Sequence, residues 1–228
     1  MKPNQITIAL DGPSGAGKST VAGLLAKKLG ILHLDTGAMY RAVGLKALRT
    51  GLTTDDEEAV RRMLETTKLE VILSEDRQRV LLDGEDVSTA IRTPEASLAA
   101  SDFSKLPVVR HKLVELQRQM ADRQSLILDG RDIGTYVLPQ ATCKIFLTAE
   151  PAERARRRLL DLQASGDHSA TLEQVLQDIE YRDRQDAGRA LAPLRQAEDA
   201  ILVDSTDCSV EEVVDRITSY IKGIRHES

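Results

Sequence analysis

One octapeptide limits the possible folds more than any other part of the chain. Gly12-Pro13-Ser14-Gly15-Ala16-Gly17-Lys18-Ser19 carries G-x-x-x-x-G-K-[ST] at all four fixed positions. Such a loop works only where a buried strand delivers it to the first turn of a helix, so that backbone N–H groups close around an anion. The flanks agree. Residues 6–10 are a short β-branched run suited to a buried parallel strand. Downstream, Val21, Leu24, Leu25 and Leu29 recur at helical spacing, Lys27 and Lys28 fall at the negative helix end, and Gly30 is placed to cap it. Average residue frequencies make a chance match only on the order of one in a hundred for a chain this long. In this motif Lys18 reaches the β- and γ-phosphates of a nucleoside triphosphate, and the Ser19 hydroxyl ligates Mg²⁺.

Strand, loop and helix then repeat. Residues 31–34, 126–128, 144–147 and 201–203 read as further core strands with helical patterns between them. The alternation predicts an α/β fold, a three-layer sandwich with a central parallel sheet and helices on both faces. One segment departs from it. Residues 69–73, 79–82 and 85–87 are short extended runs, the last two joined by the hairpin signal Asp83-Gly84. They predict a small antiparallel insertion over 67–104 in a core of 1–66 and 105–228. Thr54 with Glu57, and Ser209 with Glu212, have the spacing of capping boxes for two further helices.

Charge and cysteine content narrow the function classes. With 31 Lys+Arg against 36 Asp+Glu the net charge is -5, which argues against sequence-independent binding to a nucleic-acid polymer and makes any basic site local. Cys143 and Cys208 lack metal-ligand spacing and read as reduced thiols. No apolar run approaches a membrane span, and the N-terminus lacks a basic-then-apolar signal. A soluble protein of the cytoplasm is the expectation.

Residues able to meet a second ligand cluster in three places: Asp35-Thr-Gly-Ala-Met-Tyr-Arg41, Asp129-Gly-Arg-Asp-Ile-Gly134, and the arginines at 154–158 and 182–189. The C-terminal ends of parallel strands share one edge, so the first two segments should face the phosphate loop. Taken singly, such turns commonly just end strands, and arginine runs are commonly solvated helix faces.

Taken together, Asp11-Gly-Pro-Ser-Gly-Ala-Gly-Lys-Ser19, Leu34-Asp-Thr-Gly-Ala-Met-Tyr-Arg41, Gly130-Arg-Asp-Ile-Gly-Thr135, Lys144-Ile-Phe-Leu-Thr-Ala149 and Arg182-Asp-Arg-Gln-Asp186 with Arg189 resemble the bacterial cytidylate kinases in order and spacing. The likeness covers nearly the whole chain. It implies ATP-dependent phosphorylation of CMP and dCMP, and it makes the insertion a monophosphate-binding region. Arg41, Arg131 and Arg189 would grip the acceptor phosphate, consistent with the guanidinium fork's fit to phosphate oxygens. Ser101, Arg110 and Asp132 would read cytosine, whose amino group a carboxylate can accept while uracil offers it only a carbonyl oxygen. Asp186 and Arg182 would meet the ribose. The resemblance also sets Ser14, Thr36 and Tyr40 beside the acceptor and Thr20 with the donor loop. Thr36 stands where a serine is also common and keeps the hydroxyl.

Arg157 resembles an arginine of a mobile lid, near 154–189, that closes over the ATP phosphates. Arg154, Arg157 and Arg158 share one helical face, yet Glu153 stands four residues from Arg157 and could pair with it. No general base is needed, because the second pKa of a phosphate monoester lies near 6 and the nucleophilic dianion is abundant at neutral pH. Lys18, Arg131, Arg157 and Arg189 would carry catalysis by placing and neutralising two polyanions. Asp35 and Asp129 end strands beside the loop; each could orient Mg²⁺-bound water or simply cap a turn. The rivals are a related kinase for shikimate, AMP or UMP, and a GTPase-type switch, which would normally show an Asn-Lys-x-Asp motif absent here. The resemblance further implies a monomer.

Overall fold

The computed structural model describes residues 5–74, 78–164 and 166–227, with side chains through residue 224. Eight strands and eight α-helices follow one another: β1 (Thr7–Asp11), α1 (Lys18–Leu29), β2 (Leu32–Asp35), α2 (Thr36–Thr50), α3 (Glu57–Thr66), β3 (Leu69–Leu73), β4 (Gln78–Leu82), β5 (Glu85–Asp86), α4 (Pro94–Phe103), α5 (Pro107–Arg123), β6 (Leu126–Gly130), β7 (Cys143–Thr148), α6 (Pro151–Ala164), α7 (Leu172–Ala187), β8 (Ile201–Asp204) and α8 (Val210–Glu227). A π-helical stretch, Ile133–Val137, follows β6.

The main sheet is parallel, in the order β2-β6-β1-β7-β8. Side-chain alternation along its central strands builds two cores. Ile8 and Leu10 of β1 and Ile127 of β6 join Val21, Leu25, Val213 and Ile217 on the face covered by α1 and α8. Ala9, Leu126 and Leu128 join Met39, Val43, Val60, Val109 and Leu113 on the opposite face. Helices on both faces bury both sides of the central strands β1 and β6, which is why each carries a continuous apolar run.

The expected antiparallel excursion is a three-stranded sheet, β3-β4-β5. Asp83 and Gly84 turn its second hairpin at φ 52° and 88°, the left-handed pair that a two-residue type I′ turn requires. This sheet packs on α2 through a small core of its own, including Ala42, Val80, Leu82 and Ile91. Next to it α4 lies so close to α2 that a Cβ on Gly44 would sit 2.8 Å from the Ala100 nitrogen.

One expected cap differs. The α3 N-cap is Asp56, whose carboxylate accepts from the Ala59 N–H at 2.9 Å, and Thr54 does not cap it. Asp56 directly precedes the first turn, where a carboxylate also meets the positive end of the helix dipole. At the other capping box the expectation holds: Ser209 and Glu212 exchange hydrogen bonds at 2.8 and 3.2 Å.

Candidate active site

At the carboxyl edge of the main sheet Asp11 pairs with Gly130 and Asp35 with Asp129, and a cavity of about 660 Å³ opens above them. The loop residues Ser14 to Ser19 form its floor. Gly12, at φ 153°, presses on the backbone of Leu147 so closely that a Cβ would overlap the carbonyl oxygen. At the helix start Gly17 is an N-cap without a capping side chain, which leaves the first amides of α1 available to phosphate oxygens. Ser14, Gly15, Ala16, Gly17, Lys18, Ser19 and Thr20 line the cavity, whereas Gly12 and Pro13 lie behind it.

Lys18 is buried and its Nζ donates to the Pro13 carbonyl at 2.7 Å. Burial, and then the positive charge of Arg131, pull its pKa down to about 7. Asp129, Asp186 and Asp11 offset this only in part. Ser19 donates to Asp129 Oδ2 at 2.8 Å, and Asp129 Oδ1 lies 2.6 Å from His33 Nε2. The hydroxyl and carboxylate are hard oxygen donors that suit Mg²⁺, and no cluster of three metal-ligating side chains occurs among the described residues. That donor set fits an ion held by one or two protein groups together with substrate phosphates, the usual Mg²⁺ arrangement. Asp35, the other candidate, caps α2 by accepting from the Ala38 N–H and pairs with Arg41 at 2.7 Å. Its pKa is lowered: burial opposes this, but Arg41 and the capping N–H outweigh it.

Besides Ser14 on the loop, the residues expected at the acceptor line the same cavity: Thr36, Tyr40, Arg41, Ser101, Arg110, Arg131, Asp132, Arg182, Asp186 and Arg189. They come from α2, α4, α5, the turn after β6, and α7 with its following residues. Arg110 and Asp132 form an ion pair with the guanidinium only 1% and the aspartate 3% exposed. Arg110 also lies over the Tyr40 ring, 5.6 Å from its centroid. Its Nε and the Tyr40 hydroxyl are buried without a partner, so polar capacity at this wall is unused. Asp186 bridges Arg131, at 2.7 Å, and Arg189. Although burial opposes it, these two arginines hold the Asp186 carboxyl below its usual range. Arg182 is pushed down by burial and then by nearby Arg158. Thr36 uses its hydroxyl on the Asp129 carbonyl at 2.7 Å.

The arginines of α6 divide. Arg154 is buried, donating to the Ala149 and Ser14 carbonyls and to Asp183, so it braces the loop from behind. Arg157 lines the cavity but is engaged by Glu153 at 2.8 Å and by the Ser205 carbonyl at 2.6 Å. Arg184 stays exposed beside Glu180. Sequence reasoning missed the roles of Asp183, which lies within the Arg182 to Asp186 motif and also accepts from the Ser14 N–H, and of His33, which no motif marks.

A phosphate-binding loop at the carboxyl edge of a parallel sheet, with its lysine and serine facing a shared cavity, defines a P-loop nucleoside triphosphate-binding protein. The family model for cytidylate kinase matches residues 8–223, and the chain belongs to that family. A cytidylate kinase of Caldicellulosiruptor saccharolyticus is 52% identical over 93% of this chain and 94% of its own length. One from Caldicellulosiruptor bescii is 50% identical over 98% and 99%. Among solved structures, a shikimate kinase from Bacteroides thetaiotaomicron superposes with a TM-score of 0.50 at 14% identity, covering 95% of this chain and 98% of that one. That likeness concerns the fold alone.

Proposed function

We propose that the chain transfers the γ-phosphoryl group of ATP directly to the phosphate of CMP or dCMP, in the cytoplasm and as a monomer. The observation that carries this is the second, arginine-rich wall: Arg41, Arg131 and Arg189 share one cavity with Lys18 and Ser19. Three guanidinium groups beside a phosphate loop suit a second phosphate and suit an apolar acceptor poorly.

In this reading the amides of the loop hold the donor phosphates, and Lys18 regains its proton as they approach. Ser19 would hold Mg²⁺, with Asp129 orienting its water; the ion would supply charge neutralisation between donor and acceptor. Arg131 and Arg189 exchange their pairing with Asp186 for the acceptor phosphate, which frees that carboxylate to meet the ribose with Arg182. Arg41 makes the same exchange from Asp35. Ser101, Arg110 and Asp132 read the base, Ser14, Thr36 and Tyr40 complete the wall, and Thr20 supports the donor side. Residues 67–104 act as the monophosphate-binding subdomain of a core formed by 1–66 and 105–228. Residues near 154–189 act as a lid that brings Arg157 from Glu153 and Ser205 onto the donor phosphates. Turnover is then a matter of placing two polyanions in line.

A coupled assay for nucleoside diphosphate formation tests the reading. With ATP and Mg²⁺, CMP and dCMP should be turned over well ahead of UMP, AMP and shikimate. Faster turnover of UMP or AMP would overturn the base assignment.

A further inference from the structure

Asp11 ends β1, one residue before the phosphate loop, and has no role in the account so far. It is buried, and its carboxylate accepts the Ile133 N–H on Oδ1 at 2.8 Å and the Gly134 N–H on Oδ2 at 2.7 Å. Those amides directly follow Arg131 and Asp132. The backbone ladder between β1 and β6 stops at the pair Asp11 and Gly130. Beyond it the chain leaves the sheet into the π-helical stretch 133–137, a local widening that often marks functional positions. The Asp11 side chain thus continues the cross-strand connection past the end of the ladder.

An ionised carboxylate in this place is costly. Burial raises its pKa to about 7 even though both N–H groups favour the charged form. A site selected for packing alone would be better filled by an apolar side chain. Space at the contact is also restricted: a Cβ on Gly134 would lie 3.3 Å from Asp11 Oδ2 and 3.2 Å from Lys144 Cδ. No other side chain spans from the root of the donor loop to the segment bearing Arg131 and Asp132 in this way among the described hydrogen bonds.

We infer that Asp11 is a positioning residue for the acceptor. It keys the turn carrying Arg131 and Asp132 to the strand carrying the phosphate loop, and so sets the spacing between the two phosphates. The inference rests on the reading that Arg131 and Asp132 hold the acceptor nucleotide.

The test compares wild type with Asp11→Asn, Gly134→Ala and Arg131→Ala. Asparagine keeps the shape but turns one accepting oxygen into an amino group facing an N–H. Gly134→Ala strains the same contact from the other side. Each should raise the KM for CMP, Asp11→Asn by about tenfold for one charge-assisted hydrogen bond, while the KM for ATP stays within about twofold. Amide exchange at 133 and 134 should quicken by a similar factor, with the protection of β7 unchanged. Equal rises in both KM values, or an unchanged KM for CMP with full protection at 133 and 134, would overturn the inference. Arg131→Ala separates the two levels. If it raises the KM for CMP while Asp11→Asn does not, the role of Asp11 fails alone. If it leaves that KM unchanged, the acceptor reading fails and takes this inference with it.

Discussion

Replacing Asp132 by asparagine removes a charge at the base-reading wall while keeping the side chain's shape. In the folded protein Asp132 neutralises Arg110, whose guanidinium is almost fully buried and whose Nε is without a partner. Its remaining polar contact is a long one, 3.4 Å from Nη1 to the Ser104 carbonyl. Alanine at 132 would strand that cation, a loss of about 3–5 kcal/mol for a broken buried pair. Asparagine retains an accepting oxygen, so Asp132→Asn should cost less stability than Asp132→Ala in chemical denaturation and still fold. Its effect on the substrate is more selective. A hydrogen bond from the cytosine amino group to a charged acceptor contributes about 1.5–3 kcal/mol, so kcat/KM for CMP should fall by roughly 10- to 150-fold. The asparagine amide can donate to the uracil carbonyl, so kcat/KM for UMP should hold or rise. Both values come from a coupled assay of ADP release. An unchanged ratio of CMP to UMP turnover in the folded variant would refute the assignment of Asp132 to the base.

Two further outcomes follow from the donor side. Gly12→Ala drives a methyl group into the Leu147 carbonyl. A stability loss of about 1–3 kcal/mol for overpacking, seen as a lowered denaturation midpoint, and lost ATP binding are expected; wild-type ATP affinity would contradict the close approach. Lys18, whose pKa burial lowers to about 7, is mostly neutral at pH 8, and phosphate charge must raise its pKa. ATP binding at pH 8 should therefore take up close to one proton, seen as a calorimetric enthalpy that differs between buffers of unlike ionisation enthalpy. Lys18→Met should abolish that difference, and its absence in the wild type would contradict the burial argument.

How much of this was legible in the sequence depends on distance along the chain. The strands β1, β2, β6, β7 and β8 are apolar runs, and Asp83-Gly84 and Ser209 with Glu212 act within a few residues, so local pattern was enough. Thr54 misled because two capping residues stand close together, and only the start of α3 decides for Asp56. The candidate site's membership was readable from motifs, but its pairings were not. Arg110 with Asp132, Arg131 with Asp186, Ser19 with Asp129, and Asp11 with the amides of 133 and 134 join positions that only the sheet order brings together. Arg154 shows the same limit: beside Arg157 and Arg158 it reads as one more cation on a helix face, yet packing beneath the phosphate loop buries it against two carbonyls and Asp183.

The central claim is that one cavity holds donor and acceptor phosphates at once, in line, between the loop at Gly12 to Ser19 and the arginines at 41, 131 and 189. An analogue joining cytidine to adenosine through five phosphates should bind with one molecule per chain, more tightly than ATP or CMP alone, and should displace both. Displacement of ATP with CMP still bound would contradict the shared cavity.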